Sequence, residues 1–299
     1  MLVLLVLLAI GYVAGKTGII NQLTNERLTK VVINIVQPAR ILDSMTGLDN
    51  DISIGDAGAS ILAAASFYII ALPIAFITAK LMRTKSEDSG TYQYILTFGN
   101  VGFMGFPVIE SVFGNEAMFY CALFNIPFNL LAYSIGLTML TKKSGKFNLE
   151  PKRLLNMPFI SAILALVLFL VKMPIPQVLA STFETLGGST TPLAMLILGG
   201  TLAMLPIKEL FTQWRIYIVT FIKLLVIPLV TWLVYRVFLG PDSLLLGVIV
   251  VLAAMPVATN ATMIAIEYGG NQRVVSQSIF FTTVLCVVTI PFISYLLFL

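Results

Sequence analysis

The stretch TFGNVGFMGFPVIESVFGN, from Thr97 to Asn115, decides the fold together with its counterpart VLAAMPVATNATMIAIEYGGN, from Val251 to Asn271. Each is long enough to cross a bilayer, and each is interrupted near its centre by polar and helix-breaking residues. Because hydrocarbon offers no partners to backbone amides and carbonyls, such a break is tolerated only where protein or a cavity supplies them. Paired breaks at matching places in two halves of a chain are typical of the binding sites of transporters.

The composition of the whole chain is that of a polytopic membrane protein. Hydrophobic residues make up 58% of the 299 residues and charged residues 11%, with a mean hydropathy of +0.97, which is too apolar for a water-soluble globule. The first apolar run lacks the basic region and cleavage site of a secretory signal, so we expect it to remain as a membrane helix. Runs of about 20 apolar residues predict ten spans, at approximately residues 2–20, 28–46, 57–82, 92–113, 116–141, 157–172, 183–204, 213–238, 243–268 and 273–298.

The distribution of basic residues predicts the orientation. Fourteen Lys and Arg residues lie in or beside the odd-numbered connections, counted from the amino end, and two lie in or beside the even-numbered ones. Since basic loops stay in the cytoplasm, we expect an inner-membrane protein with both termini outside. The net charge of +4 then reflects topology and does not indicate a nucleic-acid partner.

Several kinds of chemistry are disfavoured by what the residues are. The chain has no histidine, and its two cysteines lie inside apolar spans, so no His- or thiol-based metal site is expected. Catalytic motifs such as Gly-x-Ser-x-Gly or HExxH are absent as well, and we therefore expect neither a cofactor nor enzymatic activity.

An internal duplication accounts for the pairing of the breaks. The ordered matches are Pro38 with Pro192, Leu72-Pro73 with Ile227-Pro228, and Gly114-Asn115 with Gly270-Asn271, at separations of 154, 155 and 156 residues. A series with a nearly constant separation predicts two homologous halves. Five spans in each half invert the second relative to the first, so we expect an all-α inverted repeat of residues 1–141 and 157–299, joined by a cytoplasmic linker at 142–156.

The residues at the two breaks are the predicted substrate site. Unwound segments expose amides and carbonyls, and the amino ends of half-helices carry partial positive charge, so the crossing of spans four and nine suits an anionic group. The asparagines there have a structural alternative, since their amides could simply satisfy backbone groups freed at a kink. The predicted ligands are Asn100, Gly102 and Pro107 in span four and Pro256, Thr259 and Asn260 in span nine.

Charged residues inside the spans are few. Lys223 lies well within span eight, where a basic residue costs at least about 2.5–3.5 kcal/mol on insertion scales. We expect it to attract an anionic substrate or, alternatively, to cap carbonyls at the break in span nine. Arg40 and Asp43, three apart in span two, are predicted to pair on one helix face. Glu110 and Glu267 are expected at the membrane–water interface. Alternatively, they could be protonatable groups that couple transport to proton movement.

The segments NVGFMGFPVIESVFGNEA, from Asn100 to Ala117, and MPVATNATMIAIEYGGN, from Met255 to Asn271, resemble the auxin efflux carrier family, whose bacterial members include suspected malonate and other organic-anion carriers. The resemblance covers essentially the entire chain. It implies a ten-helix fold like that of bile acid symporters, with spans 1, 2, 6 and 7 as a scaffold and spans 3–5 and 8–10 as a moving transport domain. It also implies that substrate binds at the crossing of broken helices four and nine, that transport is elevator-like, and that the protein is a homodimer.

Individual positions can be carried over from the family. Asn100 and Pro107 match its span-four Asn and Pro, Pro256 matches its first span-nine Pro, and Lys223 stands where many relatives have Arg. Plant members have a second span-nine proline where this chain has Ala261, which weakens any assignment of auxin itself as the substrate. The residues that we expect to line the scaffold wall are Asn34, Gln37, Thr190 and Thr191.

The sequence therefore predicts a secondary carrier of small organic anions, auxin-like or malonate-like carboxylates among them, that works in the lipid bilayer by alternating access. Two alternatives stay open. One is a sodium- or proton-coupled antiporter or symporter of the same architecture, although neither break has Asp or Glu at its centre. The other is a membrane sensor that binds its ligand without transporting it.

Overall fold

Helices dominate the structure, a computed structural model that describes residues 2–44, 54–140, 156–173, 175–204, 213–259, 261, 265 and 270–298. Within these ranges the single extended pairing is an isolated antiparallel bridge between Gly99 and Val257. Two residues singled out above, Asn260 and Glu267, lie outside the described residues, as does the predicted linker except for Asn156.

Fifteen α-helices can be assigned in the described ranges. They are α1 (Leu2–Lys16), α2 (Gln22–Val31), α3 (Gln37–Asp43), α4 (Ile54–Leu81), α5 (Ser86–Thr97), α6 (Gly105–Phe113), α7 (Met118–Leu131), α8 (Leu137–Leu140), α9 (Met157–Val171), α10 (Gln177–Gly188), α11 (Thr190–Met204), α12 (Arg215–Phe221), α13 (Ile227–Leu239), α14 (Leu244–Ala253) and α15 (Gln272–Phe298). The π turns Val32–Val36, Ala132–Gly136 and Ile222–Val226 join α2 to α3, α7 to α8 and α12 to α13, and a 3₁₀ turn at Asn115–Ala117 precedes α7.

The helices have the length and composition of a polytopic membrane protein. Among the described residues, the stretches long and apolar enough to cross a bilayer are Ile54–Leu81, Asn115–Leu140, Gln177–Met204, Arg215–Leu239 and Gln272–Leu297. Shorter apolar helices cover Val3–Lys16, Met157–Val171 and Leu244–Ala253. The membrane class predicted from composition is therefore confirmed, while the ten-span inverted repeat stays a prediction.

Prolines explain two of the π turns. Proline lacks an amide hydrogen, and its ring clashes with the carbonyl four residues earlier, so the preceding turn of helix has to rearrange. Pro38 follows the π turn Val32–Val36, and Pro228 follows the π turn Ile222–Val226. Such turns are frequent at functional sites, and the second one contains Lys223.

The chain divides into two compact units. Unit 1 comprises Met1–Leu62, Gly102–Pro127 and Lys152–Leu205, and unit 2 comprises Ala63–Val101, Phe128–Pro151 and Pro206–Leu299. Unit 1 thus contains α1 to α3, α6 and α9 to α11, and unit 2 contains α5, α8 and α12 to α15. Helices α4 and α7 contribute residues to both units.

Glycines allow α1 and α11 to pack closely in unit 1. A Cβ atom at Gly11 would collide with the backbone of Leu196, and one at Gly199 would collide with the carbonyl oxygen of Leu8. Small residues at a helix interface let two backbones approach, which is how many membrane helices associate. This contact is the most extensive between any two described helices.

A buried arginine connects α3 to the carboxyl end of α6 in unit 1. Arg40 is only 5% exposed, and its Nη1 atom lies 2.7 Å from Oδ2 of Asp43, which confirms the predicted pair. Its Nη2 atom lies 2.7 Å from Oε1 of Glu110 and donates to Oδ1 of Asn115 at 2.8 Å. Glu110 also accepts a hydrogen bond of 3.1 Å from Oγ1 of Thr191. The i, i+3 spacing predicted Asp43 as a partner but gave no sign of the partners distant in sequence.

We expect Arg40→Gln to lower the thermal stability of the purified protein. Removing the guanidinium leaves Asp43 and Glu110 without their cation, and breaking a buried ion pair costs about 3–5 kcal/mol, less here because the Glu110 side chain is 36% exposed and partly screened by solvent. The matched control is Arg27→Gln, because Arg27 is exposed and forms no ion pair within the described ranges. Equal unfolding temperatures for the two variants would contradict the expectation.

Candidate functional site

The break in span four separates α5 from α6. Helix α5 ends at Thr97, Phe98 is extended with its amide bonded to the carbonyl of Tyr94, and α6 begins at Gly105. Pro107 lies in the first turn of α6, where a missing amide hydrogen costs nothing because that turn has no intrahelical acceptor. The proline is therefore accommodated without loss of a hydrogen bond at the start of the second half-helix.

The break in span nine follows α14. That helix ends at Ala253, and the amide of Ala254 donates to the carbonyls of Val250 and Val251. Pro256 and Val257 come next in non-helical backbone, and both are buried. The chain therefore leaves the helix inside the protein, where every freed polar group needs a partner.

The two breaks lie against each other within unit 2, as the sequence predicted. The amide of Asn100 donates to the carbonyl oxygen of Pro256 at 2.7 Å, and Gly99 and Val257 form the antiparallel bridge. Glycine favours this approach, because a Cβ at position 99 would lie 3.1 Å from the carbonyl oxygen of Met255, a tight contact that would require the neighbour to shift. The contact is thus made by backbone atoms of both segments.

Lys223 caps the first half-helix of span four. Its side chain is 1% exposed, and its Nζ atom donates to the carbonyl oxygen of Leu96 at 3.0 Å. Leu96 lies in the last turn of α5, where carbonyls lack intrahelical partners and the helix dipole is negative. The alternative expectation, that this lysine caps the break in span nine, is wrong, because its Nζ atom donates to the carbonyl of Leu96 in span four.

Lys223 has no carboxylate partner in the described part of the chain. The ion pairs found there are those of Arg40 with Asp43 and Glu110. The two buried cations are thus accommodated differently, since Arg40 is neutralised by acids and Lys223 is held by a carbonyl dipole. A lysine without a counter-ion beside a buried break complements a negatively charged ligand.

Thr282 of α15 satisfies an amide that the break in span nine frees. The amide of Val257 donates to Oγ1 of Thr282 at 3.0 Å, and the same hydroxyl donates to the carbonyl of Ser278 at 2.6 Å. Thr282 lies 25 residues beyond Val257 and was not among the predicted site residues. The available signal was the i, i+4 pair of hydroxyl residues, Ser278 and Thr282, in the last span.

These contacts reduce what the backbone can offer a ligand. The carbonyl of Leu96 and the amides of Asn100 and Val257 all have protein partners. The expectation that the unwound segments present free amides to an anion does not hold for these groups. These three groups are therefore satisfied within the protein.

A predicted wall residue, Gln37, meets a predicted ligand, Gly102, in unit 1. The side-chain amide of Gln37 lies where a side chain at Gly102 would be, with Nε2 at 2.8 Å from the position of a Cβ atom. Oδ1 of Asn125 lies 3.9 Å from the same point, and Nδ2 of Asn125 donates to the carbonyl of Cys121 at 2.9 Å. The glycine therefore makes room for a buried amide, and Asn125 is a neighbour that the sequence did not indicate.

The other predicted residues have separate surroundings. Thr190 is buried, and Thr191 is bonded to Glu110 as described above. Asn34 is exposed, and its Nδ2 atom donates to the carbonyl of Lys30 at 2.8 Å. In unit 2, Thr259 is partly exposed beside the break. The role of each as a substrate ligand stays a prediction.

Comparison with known proteins gives matches across the whole chain. The model of the family described as membrane transport protein matches residues 1–154 and 149–294. An "Uncharacterized transporter" of Methanothermobacter thermautotrophicus is 28% identical over 305 residues, covering 98% of this chain and 96% of the relative. "Uncharacterized transporter YfdV" of Escherichia coli is 25% identical, covering 99% and 96%. A protein of Rhizobium meliloti named "Putative malonate transporter" is 27% identical, covering 77% and 74%.

We expect Gly99→Val to disturb the contact between the breaks. The added methyl groups have no space near Met255, and overpacking of this kind costs about 1–3 kcal/mol. Gly58→Val in α4 is the matched control, because a Cβ at Gly58 has open space around it. Thermal unfolding of the purified variants measures the effect, and a Gly99→Val protein as stable as the Gly58→Val protein would show that the close approach is unimportant.

Proposed function

We propose that this chain, because it belongs to the membrane transport protein family, carries small organic anions across a membrane by alternating access. The family match confirms the resemblance to the auxin efflux carriers and makes the protein a membrane transporter and not an enzyme. The substrate class, the coupling and the movement are the proposed part.

The observation that supports an anionic substrate is the placement of Lys223. It is a buried cation at the contact between two broken segments, and no described carboxylate lies within ion-pair distance of it. An anion bound beside it would receive a charge-assisted interaction in surroundings of low dielectric, where such interactions are strong. A cation bound at the same place would be repelled.

Carboxylates are the proposed class of anion. The relative from Rhizobium meliloti has malonate in its name, and a carboxylate matches an ammonium group together with neutral amide and hydroxyl donors. In unit 2 we assign Asn100, Thr259 and Lys223 to contact the anion, with Pro256 keeping the segment non-helical. Asn260 joins this set on the basis of its sequence position.

The wider architecture is proposed as the resemblance implies it. We propose ten spans arranged as an inverted repeat, with transport by an elevator-like movement. We also propose a homodimer in the inner membrane with both termini outside. The buried amide of Gln37 beside Gly102 supports a polar lining in the scaffold, whose other proposed members are Asn34, Thr190 and Thr191. Gly102 and Pro107 of span four stay proposed substrate ligands.

We expect purified wild-type protein to be stabilised by malonate or by a related mono- or dicarboxylate in a thermal-shift screen, because a ligand of the native state raises its apparent stability. The same compound should exchange with labelled substrate in counterflow across proteoliposomes. Binding without exchange would instead identify a sensor. Flux that requires sodium or a proton gradient would identify a coupled carrier.

We expect Lys223→Met to weaken malonate binding. Loss of a charge-assisted hydrogen bond costs about 1.5–3 kcal/mol, which corresponds to roughly a 10- to 150-fold rise in Kd. Lys223→Arg should keep most of the affinity because it keeps the charge. Lys80→Met is the control, since Lys80 is an exposed lysine of unit 2. Unchanged malonate affinity in a well-folded Lys223→Met protein would remove this lysine from the site.

A further inference from the structure

We propose that Thr282 is a positioning residue that holds the break in span nine in the geometry needed for transport, an inference that rests on the function proposed above. Thr282 does not belong to either broken segment. It reaches the break from α15 through the hydrogen bond of 3.0 Å between its Oγ1 atom and the amide of Val257.

The geometry places Thr282 at the end of a continuous series of contacts. Val257 is bound on one side to the hydroxyl of Thr282 and forms the antiparallel bridge with Gly99 on the other. The adjacent residue, Pro256, accepts the amide of Asn100 at 2.7 Å. A shift of Val257 would therefore move the backbone that carries Asn100, which is a proposed substrate ligand.

The hydroxyl of Thr282 is itself fixed. It donates its proton to the carbonyl of Ser278 at 2.6 Å, so its oxygen lone pairs remain to accept the amide of Val257. Thr282, Ser278 and Val257 are all fully buried. With no water available, the amide of Val257 has no replacement partner if the hydroxyl is removed.

The neighbouring residue shows that this role is specific. Thr283 is equally buried on the same helix, but its Oγ1 atom has no hydrogen-bond partner among the described residues. Replacing Thr283 by valine thus removes a buried hydroxyl without breaking a contact to the break. The chain itself provides a control matched in residue type, burial and helix.

The first test is hydrogen exchange of full-length protein in nanodiscs, read from peptides that cover residues 252–258. In Thr282→Val the exchange of this segment should be about tenfold faster than in wild type, because local opening exposes the unpaired amide. Thr283→Val should match wild type, and Thr282→Ser, which keeps the oxygen, should restore protection. Equal exchange in the two valine variants would overturn the proposal.

A milder substitution covers the case in which Thr282→Val destabilises the whole protein. Thr282→Cys keeps a weak acceptor of similar size, so its exchange rate should lie between those of the serine and valine variants. If Thr282→Val fails to fold, the cysteine and serine variants are compared instead. Faster exchange of residues 252–258 in Thr282→Cys than in Thr282→Ser supports the proposal, and equal exchange overturns it. Loss of protection spread evenly along the whole chain would indicate a purely structural role and would also overturn the proposal.

The second readout is malonate transport in proteoliposomes. Displacement of Asn100 should raise the KM for malonate about tenfold in Thr282→Val while the maximal rate changes less, and Thr282→Ser should recover the wild-type KM. An unchanged KM in the valine variant would overturn the positioning role. If wild type does not transport malonate but the exchange pattern is as expected, the proposed substrate class fails and the positioning of the break by Thr282 stands.

Discussion

The hydrogen bond between the amide of Asn100 and the carbonyl of Pro256 expresses the constraint on which the rest of unit 2 depends. Within hydrocarbon a backbone group cannot turn to water, so a helix that stops inside the membrane must find a substitute for each bond it gives up. Here two interrupted segments provide partners for one another. The contact between the segments does not satisfy the carbonyl of Leu96 or the amide of Val257, and Lys223 and Thr282 bind these two groups.

This arrangement explains why the unusual residues occur where they do. Glycine is favoured at position 99 because two backbones meet closely at that point. Lys223 is needed near the carboxyl end of α5 because carbonyls accumulate there and a cation satisfies both their lone pairs and the helix dipole. The chain contains 18 Lys and Arg residues, and Arg40 and Lys223 are the two that lie neither in nor beside a predicted connection between spans. One is neutralised by Asp43 and Glu110, and the other is left with its charge available.

The features predictable from sequence were those encoded by composition or by local spacing. Apolar length predicted the membrane class, the pair of Arg40 and Asp43 followed from helical geometry, and the matching positions of the two breaks predicted that they would touch. Contacts over long sequence separations were not predictable in the same way. Leu96 as the partner of Lys223, and Thr282 as the partner of Val257, depend on how helices pack. The sequence does not show which amide a given threonine of α15 will accept. The alternative expectation that Lys223 caps the break in span nine was wrong for that reason.

The π turn at Ile222–Val226 limits which mutations the continuous helix from α12 to α13 can tolerate. A π turn holds one residue more than the α-helical turn it replaces, so the turn fixes the rotational register between the residues before it and those after it. Farther along, in α13, the hydroxyl of Tyr235 lies 2.6 Å from that of Ser66 and donates to the carbonyl of Ala63 at 2.8 Å. Deleting one residue from the turn would rotate everything beyond it by about 100°, which would take Tyr235 away from both partners or Lys223 away from Leu96. The helix can therefore accept many changes of side chain on its exposed face but no change of length in this turn.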